Sequence, residues 1–188
     1  MTPEPVRLSG QTLRGIAHPL RVRLLNLLRE DGPSTATRLA ERTGQSSGAT
    51  SYHLRQLATY GFVVEEPTPG GRERWWKATH RSMSLEGEDA RAAPGEAEAY
   101  LRAVAAEYAD RVDRWLNEAP TLPQAWDQAA TLSNWRLRLR AEEATRFLAE
   151  VEAVMASYRR DDADGEPPDG AERVDVQLQV LPFLGRSR

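Results

Sequence analysis

Two short helix-period segments with only a three-residue step between them constrain this chain more than any other feature. Thr35 can cap a helix whose Leu39 and Ala40 face inward, and Gly44 stops it. A second helix begins almost at once, with Ser46 as N-cap, Thr50, Leu54 and Leu57 inward, and an end at Tyr60-Gly61. Upstream, Thr12–Ala17 fits a short helix. His18-Pro19 then opens a longer one, because Pro lacks only an N–H that the first helical turn does not need. Leu20, Leu24, Leu27 and Leu28 keep helical spacing until Asp31-Gly32-Pro33 ends the run.

After Gly61 the period drops to two. Phe62–Glu66 reads as a strand, Pro67–Gly71 as a turn-rich loop, and Arg72–Ala78 as a returning strand bearing Trp75 and Trp76, one of which packs beneath it. Helix, helix, tight turn, helix and hairpin is the order of a winged helix-turn-helix, assigned here to residues 1–84 and expected to hold its own core.

Residues 84–95 are polar and interrupted by Gly and Pro, which places a boundary there. A long helix is expected over about Glu96–Asn117, with Ala97, Leu101, Val104, Tyr108, Val112 and Trp115 on one stripe. Residues 118–134 carry no clear period. Trp135–Arg140 and Arg173–Phe183 alternate as strands, and Ala141–Arg159 reads as a helix whose Ala144–Tyr158 stripe covers them. The fold class is therefore mainly α with a small β component: a winged helix-turn-helix, a long helix, and a small α+β unit. Residues 90–183 form the second domain, expected to dimerise and to accept an effector or partner. The stripe Leu101, Val104, Tyr108, Val112 and Trp115 is the expected dimer seam.

Charge is divided along the 188 residues. Residues 1–84 hold 12 Arg and Lys against 7 Asp and Glu, net +5, whereas the remainder holds 13 against 21, net −8. A basic end suggests a polyanion partner. The absence of Cys excludes disulfides and thiolate metal sites, and three scattered His residues make no metal cluster. No apolar run approaches the ~20 residues of a membrane helix. Met1–Pro5 lacks the basic-then-apolar order of a signal peptide. A cytoplasmic chain without membrane partner, cofactor or metal is expected. No phosphate-cradling loop, nucleophile elbow or zinc-protease pattern is present, so no enzyme activity is assigned.

His18-Pro19-Leu20-Arg21, Thr37–Gly44, Ser51-Tyr52-His53-Leu54-Arg55-Gln56-Leu57, Gly61-Phe62-Val63 and Gly71-Arg72 together resemble the ArsR-type winged-helix regulators of bacteria, with an actinobacterial-type C-terminal extension. The resemblance covers roughly a third of the chain. It implies a homodimeric, sequence-specific repressor of transcription bound to double-stranded DNA. Metal sensing, frequent in that family, is disfavoured because the Cys-x-Cys element is missing. On the recognition helix Ser46, Ser47, Gly48, Ser51, Tyr52 and Arg55 offer short or adaptable polar groups for base edges. Arg72, Arg74 and Lys77 supply wing cations for the DNA backbone. His53 falls at a boundary position with a hydrogen-bonded structural role. The rival reading is a protein-interaction adaptor whose C-terminal unit docks a partner, though an adaptor has no need of so basic an N-terminal half.

Overall fold

The computed structural model describes residues 6–67, 73–126, 128–159 and 166–183. The described chain is mainly helical with a small β component. β1 (Val6–Arg7) leads into α1 (Gly10–Ile16), which Ser9 caps by accepting from the Thr12 N–H. α2 (Pro19–Glu30) starts at the proline, and the His18 Nδ1 accepts the Leu20 N–H at 3.1 Å. β2 (Ser34–Thr35) passes directly into α3 (Ala36–Thr43), where the Thr35 hydroxyl accepts from the Arg38 N–H. Gly44 closes α3 at φ 64°, a left-handed conformation that disfavours any side chain. α4 (Ser47–Thr59) follows, capped by Ser46.

β3 (Val63–Glu66) and β4 (Trp75–Ala78) form the hairpin, antiparallel, with Val63 opposite Ala78 and Glu66 opposite Trp75. β2 joins the other edge of β4, placing Ser34 opposite Trp76, so the sheet order is β2-β4-β3. Trp76 is the tryptophan packed beneath the wing. β5 (Met83–Ser84) lies parallel to β1. Neither β1 nor β2 has a sequence signal, since two residues carry no period.

α5 (Gly87–Ala92) occupies part of the stretch read as linker, and α6 (Pro94–Glu118) is the expected long helix. α6 packs on α1 and α2. Ala97 and Ala103 of α6, with Ala93 at its N-cap, join one core with Leu13, Leu24, Leu27, Leu54 and Trp76. The winged helix therefore does not complete its core alone. Arg23 Nη1 reaches the buried Glu107 carboxylate at 3.1 Å, and Arg111 pairs with Glu30. Arg29 on α2 donates to the His80 carbonyl at 2.9 Å, and burial pulls its guanidinium down to about 10. The compact unit so formed spans Met1–Thr121. Packing thus draws its line well beyond residues 84–95.

The second unit runs from Leu122 to Arg188. It contains α7 (Ala141–Ala156), near the expected position. The two flanking strands expected at Trp135–Arg140 and Arg173–Phe183 are not formed, and α7 buries no residue. The physical reason lies in the connection. Arg140 ends the alternating run and is also the N-cap of α7, so no loop residue lets the helix fold back over that run.

Candidate nucleic-acid interface

Thr50, Leu54 and Leu57 are completely buried and fix one side of α4 against the core. The opposite side is thereby turned outward. Ser47, Gly48, Tyr52 and Arg55 are exposed and Ser51 is half-buried. Ser46 is exposed too, and its Oγ accepts the Ala49 N–H at 3.2 Å. No acidic residue stands in the first turn, so the positive end of the helix dipole is unopposed there. A Cβ at Gly48 would meet nothing within 4 Å, which leaves the backbone open to close approach. Tyr52 is 53% exposed and stands edge-on to His53 with ring centroids 5.2 Å apart.

A cleft of about 260 Å³ opens beside this face, lined by Thr35, Thr37, Ser51, Arg55, Arg74 and Trp76 and by the carboxylate residue Glu73. The start of α3, the outer side of α4 and the wing meet there. Arg38 stacks its guanidinium over Trp75, 4.8 Å from the ring centroid. Arg74 Nη1 reaches Glu65 Oε1 at 3.1 Å and Lys77 Nζ reaches Glu66 Oε1 at 3.5 Å. Both ion pairs are exposed and therefore worth little, so a polyanion can take their cations. Arg72 lies outside the described residues. The arrangement sets hydroxyls and a guanidinium along the outer side of one helix, with cations of the wing beside it.

Residues 16–66 match the family model described as a helix-turn-helix domain. The match runs from the last residue of α1 to the last of β3. No curated protein matches the chain. Among solved structures the chain is similar to one titled "Possible transcriptional regulator for arsenical resistance". That likeness has 26% identity, covers 59% of this chain and 96% of the other, and has a TM-score of 0.34. It is also similar to ZitR of Lactococcus lactis, at 14% identity, 77% and 87% coverage and TM-score 0.33. A transcriptional regulator of Thermotoga maritima gives 14%, 79%, 84% and 0.34.

The helix-turn-helix brings Ser51 and Arg55 together with Arg74 in one cleft, while Lys77 lies further along β4. Thr37 and Arg38 belong to the same region; the sequence places them in the motif that carries the family resemblance but not among the expected DNA-contacting residues. A signal existed: Arg38 is a cation in the first turn of α3, where the helix dipole disfavours it. The expected seam residues stand apart on α6. There Ala97, Ala103 and Glu107 are buried in the domain, Leu101 is 53% exposed, and Val104, Tyr108, Val112 and Trp115 are half-buried. His53 does not have the expected hydrogen bond at Nδ1, which is buried with no partner among the described residues. Its ring instead packs against His18. Among the described residues no three His, Cys, Asp or Glu side chains converge on a metal position, and no helix is long and apolar enough to cross a membrane.

Proposed function

We propose that this chain is a transcriptional regulator that binds double-stranded DNA sequence-specifically, as a homodimeric repressor of the ArsR-like type that does not respond to metals. The observation that carries the reading is the outward face of α4, where Ser47, Gly48, Ser51, Tyr52 and Arg55 stand clear of the core beside the Arg74 side of the wing. That helix enters the major groove by its N-terminal half, with Ser and Arg reading base edges. Arg72, Arg74 and Lys77 hold the backbone. The winged helix-turn-helix of residues 1–84 is the DNA-binding part, and residues 90–183 serve dimerisation and receive an effector or partner. Leu101, Val104, Tyr108, Val112 and Trp115 on α6 form a seam: Leu101 is exposed and Tyr108, Val112 and Trp115 are half-buried, while Val104 at the edge of the stripe also packs against the core. Two such domains place their α4 helices on half-sites about one turn, ~34 Å, apart. The absence of Cys supports a signal other than a thiolate-bound metal.

Selection of bound fragments from genomic DNA, followed by titration of the enriched site at several salt concentrations, tests this. With ~6–10 phosphates neutralised, affinity falls about 10³–10⁵-fold from ~50 to ~200 mM salt. No enriched sequence, or binding indifferent to salt, rejects the reading.

A further inference from the structure

The cations beside α4 differ in what already holds them. Arg74 is paired with Glu65 and Lys77 with Glu66. The exposed Arg38 pairs with no carboxylate among the described residues, although Glu41 stands three positions further along α3. No acidic residue occupies the first turn of that helix, where the dipole disfavours a cation. What holds Arg38 is a ring: its guanidinium lies over Trp75, 4.8 Å from the centroid. A carboxylate partner would order the long side chain and cancel its charge. An aromatic face orders it and leaves the charge, together with its N–H donors, for another partner.

Thr35 explains why ring and guanidinium meet. Its hydroxyl accepts the Arg38 N–H as N-cap of α3, and its backbone is paired with Trp75 across β2 and β4. Thr35 is itself buried, so both relations are fixed by the core. The residues flanking the pair line the cleft beside α4: Thr37 on the helix, and Arg74 and Trp76 on either side of Trp75. We infer that Arg38 is an anchor for a phosphate of the DNA backbone and that Trp75 is the residue that positions it. This rests on the DNA-binding reading and adds to it an anchor on α3, outside the recognition helix and the wing. A guanidinium fork takes two oxygens of one phosphate. Arg38 gives up no ion pair to do so, whereas Arg74 and Lys77 each leave a carboxylate behind. Arg38 therefore contributes more to backbone affinity than either wing cation, and Trp75 acts only through Arg38.

Full-length wild type, Arg38→Ala, Arg38→Lys, Trp75→Leu and the Arg38→Ala/Trp75→Leu double variant are titrated at several salt concentrations. Two duplexes of equal length serve as probes, the enriched genomic fragment and one of unrelated sequence. Arg38→Ala weakens both by the same factor, about ten-fold, and lowers the salt slope by about 1. Arg38→Lys restores the slope, a result that loss of the fold in Arg38→Ala would not give. Trp75→Leu weakens both duplexes alike, by about three-fold, and has no effect in the Arg38→Ala background. Arg38→Ala protein that binds both duplexes as wild type does, or that loses only the preferred site, overturns the anchor. A Trp75→Leu loss that is as large in the Arg38→Ala background overturns the positioning role. Wild type that binds neither duplex rejects the DNA reading and this inference with it, whereas wild-type binding that Arg38→Ala leaves unchanged rejects this inference alone.

Discussion

The imidazole rings of His18 and His53 lie with centroids 4.5 Å apart, tilted 39° to one another. One ring caps α2 and the other sits on α4, so the contact ties the scaffold helix to the outward-facing helix. Both line a cleft of about 670 Å³ that also receives Arg23, Arg42, Glu107 and Asp110. Burial, reinforced by Arg21, holds His18 below the usual imidazole range, and burial with His18 and Arg21 does the same for His53.

Acid is therefore expected to weaken the fold through this pair. Both residues take up protons more readily in the unfolded chain, near the ordinary value of 6.5, than in the folded one. Their contribution is intact above that value, declines as pH falls below it, and levels off once the folded rings are protonated. Denaturant midpoints measured from about pH 8 to pH 5 should fall in the acid half. His18→Asn, which retains a capping acceptor, combined with His53→Gln should flatten that decline. An unchanged slope in the double variant would place the acid sensitivity elsewhere.

Backbone anchors and base readers are expected to separate in DNA titrations. Arg74→Ala and Lys77→Ala each weaken binding to every sequence alike and lower the salt slope by about 1. Ser51→Ala, Tyr52→Ala and Arg55→Ala cost ~1–3 kcal/mol chiefly on the preferred site. A wing variant that changes site preference at an unaltered salt slope would exchange the two roles.

Gly15 on α1 lies so close to Tyr60 at the end of α4 that a Cβ there would overlap the ring carbon Cγ. Gly15→Ala should therefore destabilise by ~1–3 kcal/mol despite the better helix propensity of Ala. Combining it with Tyr60→Ala should cost less than the two changes added together. Urea denaturation of the four proteins gives the coupling directly.

Glu107 accepts from Arg23 at 3.1 Å and from Asn26 at 3.5 Å in a setting that is nearly closed to water. Glu107→Ala leaves the Arg23 guanidinium half-buried without its carboxylate and should cost ~1–3 kcal/mol. Replacing the pair by Arg23→Met and Glu107→Leu should recover much of that loss. The same packing predicts that a chain ended after residue 90 unfolds at lower urea than the full protein, because Ala93, Ala97 and Ala103 leave the core.

The helix-turn-helix is legible residue by residue in the sequence. Thr35 and Ser46 cap through hydroxyls that accept an N–H three residues on, and Gly44 and Pro19 act through their own backbone, so each effect is confined to one turn and legible without knowing what lies nearby. The outward side of α4 was legible for the same reason, since Thr50, Leu54 and Leu57 set the inward side by period alone. The remaining features depend on long-range packing. β1 and β5 are two residues each and meet across more than seventy positions, a pairing with no local signature. The inward side of α6 includes a carboxylate, Glu107, beside Ala97 and Ala103, and Arg23 and Asn26 of α2 supply its hydrogen bonds. Alternation at Trp135–Arg140 specified an extended segment with one apolar side. A strand needs a partner for its N–H and C=O groups, and no pattern within one segment can supply it.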